Sequence, residues 1–163
     1  MNTKEQYFKE IYEGLKDKIY RLCLGFMGNN ADADDLFQEV LIKIWNSLDS
    51  FRGDSTINTW VYRITTNTAL LSRSKINKLK KKHTNLIPEN LKIENNEEAS
   101  LFGQEQIKKL YKAISSLKEI DRIIMSLVLE DISYKEIADI TGISVSNVGV
   151  RINRIKKALA KKI

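Results

Sequence analysis

Residues 132–159 read ISYKEIADITGISVSNVGVRINRIKKAL. Ser133 followed by Glu136 fits a capping box, in which the Ser133 hydroxyl accepts an N–H at a helix start and the Glu136 side chain reaches back to the cap. A short helix over 134–141 is expected. Gly142 follows it, and a residue without Cβ enters left-handed conformations at little steric cost, so the chain can reverse there. Ser144 offers a second cap, and Val145, Val148, Ile152, Ile155 and Leu159 recur at the three- and four-residue spacing of one buried helical stripe. The opposite face carries Ser146, Asn147, Gly149, Arg151, Asn153, Arg154, Lys156 and Lys157. Short polar groups first and cations farther along suit a helix lying in a DNA groove, where the first turns read base edges and the flanks hold phosphate. A small amphipathic hairpin with a solvated basic face has the same pattern, so the rest of the chain must decide.

A chain of 163 residues is one ordinary domain or two small helical ones. A single proline and plentiful Leu, Ile, Lys, Glu and Asn favour helices, so the fold class expected is all-α. The formal charge of +6 fits a polyanionic partner, and its placement is uneven. Between Ser72 and His83 stand Arg73, Lys75, Lys78, Lys80, Lys81 and Lys82 with no acid, and a second basic patch runs from Tyr134 to the last residue. Neither patch has the Trp, Phe and Leu face of an interfacial membrane helix. Met1 to Glu10 is polar and charged, and no apolar run approaches the roughly 20 residues of a membrane span. A cytoplasmic protein without membrane insertion is the expectation. Cys23 is the only cysteine, so no intramolecular disulfide can form, and its neighbours Ile19, Leu22, Leu24 and Phe26 predict a buried thiol.

Apolar periodicity fails between Thr84 and Gly103, where Pro88, four asparagines and Lys92 against Glu89, Glu94, Glu97 and Glu98 form an acidic linker. The expected organisation is two small helical domains, 1–83 and 104–163, joined by a flexible linker over 84–103, with the helix-turn-helix in the second. In the first, Phe8, Ile11, Tyr12, Leu15, Ile19, Tyr20, Cys23 and Phe26 mark a long helix closed by Gly28 and Asn29. A second begins near Asp32 to Asp35, where carboxylates favour the positive end of the helix dipole, and continues through Leu36, Phe37, Val40, Leu41, Ile44 and Trp45. A loop over 51–55 leads to a third helix on Ile57, Trp60, Val61, Ile64, Thr68 and Leu71, with Asn58, Thr59, Tyr62, Arg63 and Asn67 expected to face outward. After the linker, Ile107, Leu110, Tyr111, Ile114 and Leu117 form one stripe and Ile123, Ile124, Leu127 and Val128 another.

The run Asp34-Asp35-Leu36-Phe37-Gln38-Glu39-Val40 through Ile44 and Trp45, then Phe51-Arg52-Gly53-Asp54-Ser55, then Thr59-Trp60-Val61-Tyr62-Arg63-Ile64, resembles the promoter-melting and polymerase-binding domain of bacterial RNA polymerase sigma factors. The likeness is strongest to the compact extracytoplasmic-function (ECF) group of the sigma-70 superfamily, which pairs that domain with a C-terminal helix-turn-helix. It covers nearly all of the chain outside the linker.

The resemblance implies partners and site residues. Core RNA polymerase, through its beta-prime and beta subunits, would be met by Asp34, Asp35, Leu36, Gln38, Glu39, Val40 and Trp45, the acids pairing with an arginine-rich coiled coil of the largest subunit. The minus-ten promoter element, melted without ATP, would be held by Arg52, Asp54, Ser55, Asn58, Thr59, Tyr62, Arg63, Asn67, Arg73 and Lys75, through stacking, base capture and phosphate contacts. Trp60 is expected to be mainly core and Tyr62 to be the stacking residue. The minus-thirty-five element would be read by Ser146, Asn147, Val150, Arg151 and Arg154. The chain departs from a common pattern of the family there, with Gly149 where a lysine is frequent and Val150 where a small hydroxyl residue is frequent. The acidic linker resembles the family's connector, and an inhibitory anti-sigma protein is a common further partner.

A free-standing repressor or activator would need only the C-terminal segment and a way to dimerise, and leaves residues 34–73 unexplained. An enzyme is disfavoured. His83, the sole histidine, lies in a lysine run, and there is no phosphate-binding glycine loop, no cysteine or histidine cluster for a metal and no nucleophile with a partner. No cofactor is expected, and the charged helix start accounts for Asp32, Asp34 and Asp35 without a cation.

Overall fold

The computed structural model describes residues 3–80 and 101–162, with side chains over 3–72 and 105–162. The described residues form seven α-helices and one 3-10 turn: α1 (Thr3–Met27), α2 (Asn30–Ser47), the 3-10 turn Leu48–Ser50, α3 (Ile57–Lys80), α4 (Leu101–Ser115), α5 (Glu119–Leu129), α6 (Tyr134–Thr141) and α7 (Val145–Lys162). The all-α expectation is met. Helix α4 opens at Leu101, inside the stretch read as linker, and residues 84–100 of that stretch lie outside the described ones.

Local chemistry sets the helix ends. Asn29 accepts the Asp32 N–H at 2.8 Å and so caps α2, and Asp32 adds a carboxylate at the positive end of the dipole. Ser133 accepts the Glu136 N–H at 3.2 Å, Gly142 ends α6 in the left-handed region at φ 78°, and Ser144 accepts the Asn147 N–H at 3.1 Å where α7 begins. Replacing the first of these caps (Ser133→Ala) is expected to cost about 1 kcal/mol. Thermal unfolding should show it as a Tm drop of a few degrees, and an unchanged Tm would mean the cap contributes nothing.

One hydrophobic core runs through both halves of the chain. Helices α1, α2 and α3 pack together, and α4 to α7 gather around Ile114, Ile124, Leu127, Ile137, Val148 and Ile152, all at most 1% exposed. The two groups then join: α1 lies against α4 and α5, and α3 against α6. Residues 22–27 of α1 and 122–127 of α5 are buried without interruption, so each helix is enclosed on all sides where they cross. Cys23 is fully buried there, and burial pushes its thiol well above the ordinary range, which leaves it unreactive.

Candidate nucleic-acid interface

Helix α2 turns Ala33, Leu36, Val40 and Ile44 into the core and leaves Asp34, Asp35, Gln38 and Glu39 exposed. Leu36 and Val40 therefore act on any partner only by holding α2 in place. Tyr20 donates its hydroxyl to Asp34 at 2.8 Å, and Ser72 donates to Glu39 at 2.9 Å, which ties the acidic face to α1 and α3. Trp45 is half-buried, edge-on to Phe8 with ring centroids 5.5 Å apart, and Lys4 Nζ sits 4.3 Å from its ring centre. Sequence reading passed over Ile42, which stands on the same side as Asp35, Gln38 and Glu39 and is 59% exposed.

The loop before α3 is fixed by Phe51 and Trp60, 5.1 Å apart, and by Thr56, whose hydroxyl accepts the Thr59 N–H at 3.2 Å. Arg52, Asp54, Asn58 and Asn67 are exposed and Ser55 is half-buried. The side chains of Arg73 and Lys75 lie outside the described ones. Thr59, Tyr62 and Arg63 depart from the outward placement expected of them. Thr59 is 9% exposed and bonded to Thr56, Tyr62 is 4% exposed, and Arg63 spends its Nε–H on the carbonyl of Asp139 in α6 at 3.0 Å. For Tyr62 and Arg63 the cause is α6, which packs against α3 and brings Glu136 near the one and Asp139 to the other. Burial, and then the nearby Glu130 and Glu136 carboxylates, push the Tyr62 hydroxyl up to about 12. Its phenol stays neutral.

Four side chains that sequence reading did not single out lie in this seam. Arg21 of α1 clasps Glu130 with two hydrogen bonds of 2.5 and 2.8 Å, the pair being separated by 109 residues of sequence. That contact is the largest cause of the raised pKa of Arg21. Buried Arg122 donates to Leu117 O at 2.8 Å and across the seam to Phe26 O at 3.2 Å, satisfying a carbonyl at the end of α1. Ser126 sits against Gly25 so closely that a Cβ built on Gly25 would overlap its hydroxyl. That hydroxyl is buried with no hydrogen-bond partner among the described residues.

In α7, Ser146, Asn147, Val150 and Arg154 are exposed. Arg151 is half-buried and turns back to Asp121 of α5 at 3.2 Å. No group of three or more potential metal ligands occurs among the described residues, and no described helix is long and apolar enough to cross a membrane.

The family model for Sigma-70 region 2 matches residues 11–78, and that for Sigma-70 region 4 matches residues 107–159. The ECF RNA polymerase sigma factor SigW of Bacillus subtilis is 31% identical over 96% of this chain and 88% of its own length. The chain belongs to the ECF sigma factors. The ECF RNA polymerase sigma-E factor of Escherichia coli is 35% identical over 82% of the chain and 75% of its own length. Among solved structures, the sigma factor RpoE of Bartonella quintana, in complex with the anti-sigma factor NepR, is similar with a TM-score of 0.81 at 22% identity over 96% of both chains. CnrH, in complex with the cytosolic domain of CnrY, follows at TM-score 0.70 and 18% identity, over 96% of this chain and 87% of CnrH. This sigma factor is thus a promoter-recognition subunit that binds core RNA polymerase, and its family is one of non-enzymatic initiation factors.

Proposed function

We propose that this sigma factor rests closed and works in sequence: the outer face of α2 takes core polymerase first, the two helical groups part, and α3 then receives the melted minus-ten strand while α7 reads the minus-thirty-five element. One observation carries the order. The acidic face of α2 is exposed, whereas Tyr62 and Arg63 of α3 are occupied by the chain's own α6. Polymerase can therefore dock on the closed form, and promoter DNA cannot reach all of its site until α6 leaves. The similarity to RpoE over both halves supports reading the closed form as an inactive state, because RpoE was captured with an anti-sigma factor. An anti-sigma partner for this protein belongs to the same reading, as do a cytoplasmic location and the absence of any catalysis of its own.

Dyes attached at Glu10 of α1 and Lys161 of α7 through introduced cysteines, Cys23 being buried, report the separation. Core polymerase alone should lower energy transfer, and the assembled enzyme should give discrete new transcription starts on a pool of genomic DNA. Unchanged transfer with polymerase bound would refute the opening step. Tight duplex binding without polymerase, and no starts, would favour a free-standing regulator.

A further inference from the structure

Helix α7 buries Val148, Ile152, Ile155 and Leu159, and at 100° per residue the point opposite that stripe is occupied by Val150. Val150 is 57% exposed in the second turn, ringed by the exposed Ser146, Asn147, Asn153, Arg154 and Lys157. A lone exposed valine is ordinary on a protein surface. This one stands at the centre of an otherwise polar face, where a β-branched side chain lowers helix propensity without gaining burial. Gly149 beside it is equally uneconomical. Glycine inside a helix costs about 0.5–1 kcal/mol relative to alanine. A Cβ at residue 149 would meet only the Tyr134 ring, at 3.9 and 4.0 Å, an ordinary contact. Nothing inside the fold requires a missing side chain there.

We infer that Val150 and Gly149 are shaped for DNA, Val150 seating the C5-methyl group of a thymine and Gly149 admitting the sugar-phosphate backbone to close range. The inference deepens the reading of α7 as the element that reads the upstream promoter sequence. In the major groove the thymine methyl is the only apolar group, guanine is met by Arg or Lys, and adenine by Asn or Gln in a two-bond contact. Residues 145–150 carry no charge at all, and the cations Arg154, Lys156 and Lys157 follow in the later turns, placed to hold phosphate. The nearest cation, Arg151, is drawn to Asp121. Residues 145–150 thus offer guanine no cationic partner. They offer a methyl contact at Val150 and a carboxamide at Asn147, a combination matched by A·T pairs.

The test uses the full chain assembled with core polymerase. Duplexes randomised upstream of a fixed start region are selected for binding, and each thymine of the selected upstream element is then replaced by deoxyuridine, which removes the methyl group alone. One or two positions should lose about fourfold in affinity, the worth of one buried methyl. Val150→Ala should abolish that sensitivity at the same positions. Gly149→Ala should weaken promoter binding about tenfold or more while leaving Tm unchanged or raised. Indifference to deoxyuridine at every position, an element read only at G·C pairs, or full binding by Gly149→Ala overturns the inference while α7 keeps its role as a reader. No enrichment upstream of the start region would overturn that role, and the inference with it.

Discussion

Replacing Gly25 by leucine (Gly25→Leu) should spring the two halves of this sigma factor apart. The backbone of α1 passes so close to Ser126 of α5 that even a Cβ at residue 25 overlaps the serine hydroxyl, and the Tyr111 ring stands 3.6 Å from the same point. A serine hydroxyl can turn aside for one methyl group, but four carbons cannot be housed between two helices that are buried on every side. Overpacking of this kind costs about 1–3 kcal/mol or more, a shift of roughly 5- to 150-fold in the balance between closed and open forms. Each helical group keeps its own packing, so helicity should persist while the radius of gyration rises. Tyr62 and Arg63 then become accessible, and the free protein should bind a single-stranded minus-ten oligonucleotide at least several-fold better. Gly14→Leu is the control, because a Cβ there meets nothing within 4 Å. Ser126→Ala should act in the opposite direction. It removes a buried hydroxyl that has no partner, a burden of about 1–3 kcal/mol on the closed form alone. Unchanged dimensions and unchanged oligonucleotide affinity in Gly25→Leu would remove the seam from the mechanism.

That seam marks the boundary of what the sequence discloses. Helices and caps are local affairs, so Ser133, Gly142 and Ser144 announce α6, its end and the start of α7, and the stripe from Val148 to Leu159 announces which side of α7 is buried. The acidic face of α2 is legible for the same reason, since its charges sit opposite its apolar stripe. Tyr62 is different. It falls off the stripe that α3 turns toward α1 and α2, and only the arrival of a helix more than 70 residues away buries it. One signal was available. Residues 22–27 read Leu-Cys-Leu-Gly-Phe-Met and residues 123–129 read Ile-Ile-Met-Ser-Leu-Val-Leu, apolar around the whole circumference rather than along one side. A helix with that composition needs neighbours on every side, more than a three-helix group supplies. Arg21 and Glu130 carry no such mark. Charged residues at helix surfaces are common, and only the assembled fold pairs them.

The double substitution Asp35→Ala with Glu39→Ala should weaken binding to core polymerase about 100-fold and leave the fold intact. Both carboxylates are exposed, and the apolar side of α2 that anchors it is untouched, so the stability change should stay within about 0.5 kcal/mol apart from the Ser72 contact of Glu39. Against a cationic partner the same carboxylates matter far more. Truncating one member of a hydrogen-bonded charge pair that docking has desolvated costs about 2–5 kcal/mol, because the other charge is left buried and unpaired. Ile42, one turn farther on and 59% exposed, would sit inside that contact, and Ile42→Ala should add a smaller loss from apolar area no longer buried. Salt separates the two contributions. Wild-type binding should fall steeply as ionic strength rises, the double variant should respond less, and Ile42→Ala should keep the wild-type slope. Polymerase affinity at the wild-type level in the Asp35 and Glu39 double variant would move the docking surface off α2. The order of opening would then lose its first step, because nothing would place the polymerase contact on a face that the closed form leaves exposed.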